Sequence, residues 1–125
     1  MSLPVRTVEG NVQVFDLSGE LDRLAGLKDF NETAATLRPA ADTRVVLNFR
    51  DVTYVCSEAV GAVCAMVESI RRAGGKAVVC ALNGLPKDVF NILGVPKIIP
   101  TFDAEDQAVA AVLKSGSRKA RSAKS

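Results

Sequence analysis

The sequence predicts an α/β fold in which a mixed central sheet of about five strands is flanked by about four helices. Two apolar runs, Val5–Val8 and residues 12–17, are separated by the turn-forming residues 9–11, which predicts a β-hairpin. The runs at 44–49 and 76–81 are apolar without strict alternation, a pattern typical of strands covered on both faces. A helical segment lies between these two runs, so they are predicted to be parallel strands joined by a crossover.

The helices are predicted from apolar residues that recur at helical spacing. A polar connection at 18–22 leads to a first helix that starts at residue 24 or 26 and ends at residue 37, where Pro39 blocks continuation. The second helix should cover residues 57–73 and stop at the glycine pair Gly74 and Gly75. Its inward face is predicted to consist of Val60, Val63, Cys64, Val67 and Ile70.

The remaining elements are shorter. A third helix is predicted over residues 86–93, ended by Gly94 and Pro96, and a last strand over residues 97–99. Residues 103–114 are predicted to form a closing amphipathic helix. Its inward residues are expected to be Ala108, Val109, Val112 and Leu113.

The chain is expected to form one domain over residues 1–114, because 125 residues with 48% hydrophobic content support a single core. Residues 115–125 contain no acid and no large apolar side chain, so this basic tail is expected to be disordered and solvated. Its basic residues are Arg118, Lys119, Arg121 and Lys124. Without these four charges, the rest of the chain contains 12 basic and 14 acidic residues. This balance argues against direct nucleic-acid binding by the domain.

The composition also limits the chemistry. No histidine is present, which removes the commonest general base and the commonest nitrogen ligand for metals. The three cysteines, Cys56, Cys64 and Cys80, have no CxxC spacing, so we expect reduced thiols, no zinc site and no cofactor. No apolar run reaches the ~20 residues that cross a bilayer, and no signal segment is evident, so a cytoplasmic protein without membrane insertion is expected.

The connection from the 44–49 strand into the second helix holds the candidate site. Ser57 is predicted to be the helix N-cap, and Glu58 in the first turn would complement the helix dipole. Cys56 is expected to be a small packed thiol rather than a redox sensor. A serine or phosphoserine at a helix N-terminus can act as a charge switch, and here Glu58 already supplies a charge.

Four runs in this order resemble the STAS domain of bacterial anti-sigma factor antagonists, over roughly residues 4–114. They are Gly19-Glu20-Leu21-Asp22, the stretch 48–52 leading into Cys56-Ser57-Glu58-Ala59-Val60-Gly61, the stretch 72–76, and Leu93-Gly94-Val95. The resemblance implies a mixed sheet flanked by helices. It also implies a non-enzyme that acts by binding proteins.

In that family the loop before the second helix carries Asp-Ser-Ser/Thr-Gly-Leu-Gly, and its second hydroxyl residue is phosphorylated by an anti-sigma factor that is a serine kinase. The unmodified antagonist binds the kinase and frees the sigma factor. In this sequence Cys56 stands in place of the aspartate, Ser57 matches the first serine, Glu58 occupies the phosphorylated position, and Ala59 replaces the glycine. The resemblance therefore implies a partner-binding surface that consists of Asp22, Cys56, Ser57, Glu58 and Ala59.

The expected function is that of a partner-switching regulator whose partner is an anti-sigma factor with serine kinase activity or another STAS protein. One alternative is a STAS subunit of a lipid-transport ATPase complex. Another is a small thiol enzyme or ligand-binding domain that uses the loop at residues 56–58. The sequence supplies neither a suitable base nor a GxxxxGK[ST] phosphate loop for that last alternative.

The composition of the tail generates the first prediction. Deleting residues 115–125 should leave the thermal midpoint and partner binding nearly unchanged, because this segment has no apolar side chain to bury. Calorimetric unfolding of the full-length and truncated chains tests this. A loss of several degrees on truncation would contradict the prediction and would indicate that the tail docks on the domain.

Overall fold

The five strands of the sheet lie side by side in chain order, β1-β2-β3-β4-β5. The computed structural model describes residues 4–22 and 26–114, so the predicted basic tail lies outside the described residues. Strand β1 (Val5–Val8) pairs antiparallel with β2 (Val12–Leu21), which confirms the predicted hairpin. The other pairs, which involve β3 (Arg44–Val55), β4 (Lys76–Cys80) and β5 (Thr101–Phe102), are parallel. The mixed α/β sheet is therefore confirmed.

Strands β2 and β3 are both longer than predicted. Their polar ends pair with each other, and the register shifts between Asp16 and Ser18 and again between Gly19 and Glu20. These irregularities break the period of two that identifies a strand in a sequence. As a result, β3 continues to the buried Val55, directly before the candidate site.

The last strand was predicted in the wrong place. Residues 95–97 form a short 3-10 turn, and the strand is the two-residue β5 that follows Pro100. Ile99 is fully buried, whereas Ile98 is exposed. Ile99 therefore fixes the turn to the core, and the two residues do not form a strand. The Val79 N–H donates to the Pro100 carbonyl over 3.1 Å, and pairing starts at that point.

Four helices complete the fold. They are α1 (Leu27–Thr36), α2 (Ser57–Arg72), α3 (Gly84–Ile92) and α4 (Glu105–Leu113), each within a few residues of its predicted bounds. The alternative start of α1 at residue 24 lies outside the described residues. Gly74 has a φ of +93°, and the Gly75 N–H donates to the Ile70 carbonyl over 2.9 Å, so the predicted glycine stop after α2 is confirmed. No helix within the described ranges is long and apolar enough to span a membrane.

The helices cover both faces of the sheet. One core cluster contains Phe30 of α1, Val63 of α2 and Phe90 of α3, and the other contains Ala108, Val109 and Val112 of α4. Successive residues of β3 alternate between the clusters, with Val45 and Leu47 in the first and Val46 in the second. The rings of Phe49 and Phe90 pack edge to face with their centroids 5.2 Å apart. The prediction of central strands buried on both faces is thus confirmed.

A polar network fastens α4 to the sheet. Arg6 of β1 donates to both carboxylate oxygens of Asp16 and, over 2.7 Å, to Oε1 of Glu105 at the start of α4. The Asn48 side-chain amide of β3 donates to the same Glu105 oxygen over 2.9 Å. The hydrogen bond from Arg6 is the main cause that lowers the pKa of Glu105. The network therefore joins three strands and one helix through the Arg6 guanidinium and the carboxylates of Asp16 and Glu105.

The lowered pKa of Glu105 makes part of the stability dependent on pH. A depressed carboxyl pKa stabilises the fold above the ordinary pKa, and that contribution is lost as the pH falls through the lowered value. Glu105→Gln should cost ~0.5–1 kcal/mol of unfolding free energy at neutral pH, since the pair is partly solvated. Urea unfolding at several pH values should show a shallower acid loss for Glu105→Gln than for the wild type. The exposed Glu9→Gln is the matched control, and parallel acid profiles for all three proteins would contradict the prediction.

The three cysteines differ in burial. Cys80 is fully buried, and burial together with the nearby carboxylates of Glu105 and Asp16 raises its pKa to about 11. Cys64 is half-buried, and its burial also raises the pKa of the thiol. All three side chains are free thiols.

Native labelling should reflect this difference. Cys80 should resist iodoacetamide near neutral pH until the protein is denatured, because its thiol is both protonated and inaccessible. Peptide mass spectrometry after timed labelling measures the rate at each cysteine. Equally rapid native labelling of Cys56, Cys64 and Cys80 would show that the core opens at Cys80.

Candidate functional site

The candidate site begins where β3 passes directly into α2. Cys56 has an extended backbone, with φ −93° and ψ 166°, and its Sγ accepts a hydrogen bond from the Ala59 N–H over 3.4 Å. Cys56 is therefore the N-cap of α2, and the prediction of Ser57 as the cap is wrong. Ser57 is instead the first helical residue, and its side chain is exposed. The thiol replaces the hydroxyl that usually caps a helix, although sulfur is the weaker acceptor.

Glu58 lies in the first turn of α2 and is exposed. Its negative charge is favourable there because the first N–H groups of a helix give its N-terminus a partial positive charge. Ala59 follows but is only 2% exposed and packs into the core. Its methyl group therefore does not form part of a surface for a partner, in contrast to the role that the resemblance implied.

Asp22 reaches this turn from a distant part of the chain. The Cys56 N–H donates to the Leu21 carbonyl over 3.1 Å, which fixes the end of β2 beside the start of α2. Gly26, which has a φ of +71°, forms an isolated β-bridge with Asp22. A side chain at Gly26 would collide with the Glu20 carbonyl oxygen, so this position requires glycine.

Asp22, Cys56, Ser57 and Glu58 line one surface depression of about 530 Å³. The structure thus brings together four of the five residues predicted for the site. Tyr54, Val55, Leu85 and Val89 complete the lining. Sequence reasoning missed Tyr54 and Leu85, which are 37% and 49% exposed, because no local pattern shows that the connection after residue 49 and the start of the third helix meet at one surface.

The lining residues favour contact with another macromolecule. The depression combines the carboxylates of Asp22 and Glu58 with the apolar side chains of Leu85 and Val89. Hydroxyl groups from Ser57 and Tyr54 add hydrogen-bonding capacity. Among the described residues, no group of three or more cysteines or carboxylates is arranged to hold a metal ion. A mixed polar and apolar surface of this kind is typical of protein interfaces.

The fold closely matches solved structures. An anti-sigma factor antagonist from Mycobacterium paratuberculosis is 22% identical with a TM-score of 0.72, and the match covers 90% of this chain and 93% of that chain. A STAS domain protein from Planctomyces limnophilus is 13% identical with a TM-score of 0.77, covering 90% and 99%. The anti-sigma factor antagonist SpoIIAA in its unphosphorylated form is 18% identical with a TM-score of 0.69, covering 90% and 96%. At these identities the similarity shows the fold.

The family assignment depends on the sequence comparison. The sequence profile of the STAS domain matches residues 4–108. This range includes all five strands, the first three helices and the depression that Asp22, Ser57 and Glu58 line. The chain therefore belongs to the STAS domain family.

Proposed function

We propose that this protein is a cytoplasmic partner-switching regulator of the anti-sigma factor antagonist type, which acts by binding proteins and not by catalysis. The observation that carries the proposal is the exposed first turn of α2, where Ser57 and Glu58 share one depression with Asp22. The similarity of the fold to anti-sigma factor antagonists supports the same function. The partner proposed for this surface is an anti-sigma factor with serine kinase activity or another STAS protein.

The charge at position 58 distinguishes this chain from a switched antagonist. A glutamate carries one negative charge, whereas a phosphoserine carries about −1.5 to −2 and three strong acceptor oxygens. Glu58 has no hydroxyl to phosphorylate, so phosphorylation cannot switch the charge at this position. The protein is therefore held in one binding state at this position.

Regulation must then act elsewhere. Ser57 is the hydroxyl next to Glu58, and it lies exposed in the same depression. A phosphate on Ser57 would add a second large charge beside Glu58 and Asp22, which would repel an acidic partner group and attract a basic one. The proposed regulatory point is thus Ser57 or the partner itself.

The substitution Glu58→Ser tests this proposal. The variant should become phosphorylated and then bind its partner about tenfold or more weakly, while binding by the wild type stays insensitive to ATP. Both proteins are incubated with ATP and the anti-sigma factor kinase that co-purifies from the native cell. Mass spectrometry locates the phosphate, and calorimetry measures the affinity.

Glu68→Ser is the matched control, because Glu68 is an exposed glutamate of the same helix that pairs with Arg72 over 3.3 Å, outside the depression. It should behave like the wild type. Phosphorylation of the wild type at Ser57 with loss of binding would show that the regulatory residue is Ser57 and not residue 58. Equal, ATP-independent binding by Glu58→Ser and the wild type would reduce Glu58 to a residue that stabilises the helix, and failure to bind any such kinase would contradict the proposed function.

A further inference from the structure

Helix α3 presents an apolar stripe to the outside of the domain. Leu85, Val89 and Ile92 are spaced by four and three residues, so they lie on one face of the helix. Pro86 and Phe90 of the same helix are buried and face the core. Leu85 is 49% exposed and Ile92 is 81% exposed, while Val89 is half-buried. We name Leu85, Val89 and Ile92 the α3 stripe.

Val89 of the α3 stripe also packs against the core, but the fold does not require the exposed Leu85 and Ile92 to be apolar. Single exposed apolar side chains are common, but several in one row on a helix mark a surface that another molecule covers. The core-facing residues of α3 already bury this helix against β3 through the Phe49–Phe90 contact. The outward apolar row therefore serves a purpose beyond the stability of the isolated domain.

The stripe continues into the candidate site. Leu85 and Val89 line the same depression as Asp22 and Glu58, so the apolar row and the two carboxylates form one surface. Asp88 is exposed and lies one helical turn from Ile92, which places a further acidic group beside the row. Arg50 lies close to Leu85 in a neighbouring depression. Within the described residues, the charged side chains that share the depression with the row are carboxylates, so a partner that fits it is apolar in the middle and basic at the side.

We infer that the α3 stripe docks one amphipathic helix of the protein partner, an inference that rests on the proposed function. Apolar residues at positions i, i+3 or i+4, and i+7 of that helix pack against Leu85, Val89 and Ile92, as helices with this spacing do when they pair. Lysine or arginine side chains on its flank face Asp22, Glu58 and Asp88. The partner contact thus extends from the α2 turn along the whole of α3.

Site-specific photocrosslinking in the native cell tests the geometry. Benzoylphenylalanine is placed at Ile92 on the stripe, at Tyr54 in the depression as the positive control, and at Lys87 on the opposite side of α3 as the negative control. Ile92 and Tyr54 should crosslink to the same protein, and Lys87 should not. The peptide joined to Ile92 should come from a helix with the stated apolar spacing and a basic residue within about one turn.

Affinity measurements with that crosslinked protein then test the energetics. Ile92→Ser and Leu85→Ser should each weaken binding about tenfold or more, as expected for apolar residues buried at an interface. Lys87→Ser should leave the affinity unchanged. Because Leu85 and Ile92 are exposed, both variants should keep the thermal midpoint of the wild type, which calorimetry checks.

The outcomes separate this inference from the proposed function. Crosslinks at Tyr54 without any at Ile92, together with unchanged affinity for Ile92→Ser, would overturn the helix-docking inference and leave the proposed function standing. Crosslinks from Ile92 to a second copy of this chain would also overturn it, by assigning the stripe to self-association. An absence of crosslinks at both Tyr54 and Ile92 would contradict the proposed function as well.

Discussion

The site depends on the pairing between the ends of β2 and β3. The pairing of β2 with β3 extends beyond the part of β3 that pairs with β4. Its register shifts twice before Leu21 pairs with Val55. The Cys56 N–H then donates to the Leu21 carbonyl, so the first turn of α2 is fixed against the end of β2. Without this pairing Asp22 would have no defined position relative to Ser57 and Glu58. A backbone contact between two strand ends thus positions the side chains that we assign to partner binding.

The two faces of the sheet have different roles. Helices α1, α2 and α3 bury one face, and the depression and the α3 stripe both belong to elements of that layer. In the part of the chain that the structure describes, α4 is the helix that covers the other face, where Arg6, Asp16, Glu105 and Asn48 form a hydrogen-bonded network with it. The stabilising polar network therefore lies on a different layer from the candidate site. Substitutions around α2 and α3 can therefore change partner specificity without disturbing the hydrogen bonds that hold α4 on the sheet.

The side chains of the candidate site suit recognition of another protein. The thiol of Cys56 already serves as the cap of α2, Glu58 is exposed and Asp22 is half-buried. In the function that we propose, Glu58 at the start of α2 and the apolar row on α3 supply charge and buried area to a partner. The adjacent hydroxyl of Ser57 is the group in this turn on which covalent regulation could act.

The sequence by itself determined the class of fold and most of its elements. The turn residues 9–11 predicted the hairpin, and the apolar spacing in α2 and α4 predicted their inward faces, because these signals are local and periodic. The runs in β3 and β4 predicted strands buried on both faces for the same reason. Of the candidate site, Ser57 and Glu58 were singled out from their position at a predicted helix start, whereas Asp22 and Ala59 were predicted only through the family resemblance.

Tertiary structure decided the features that depend on contacts between distant residues. The extension of β2 and β3 escaped prediction because two bulges interrupt the alternation and because each polar strand end is stabilised by the other. The last strand lies at residues 101–102 rather than 97–99, since burial of Ile99 and pairing with β4 select the register. The cap of α2 is Cys56 rather than Ser57 because the backbone conformation at the end of β3, and not residue preference, sets where the helix begins. The joining of Asp22 and Glu58 with Tyr54 and Leu85 into one surface is likewise a product of packing, which brings together residues whose local sequences carry no common signal.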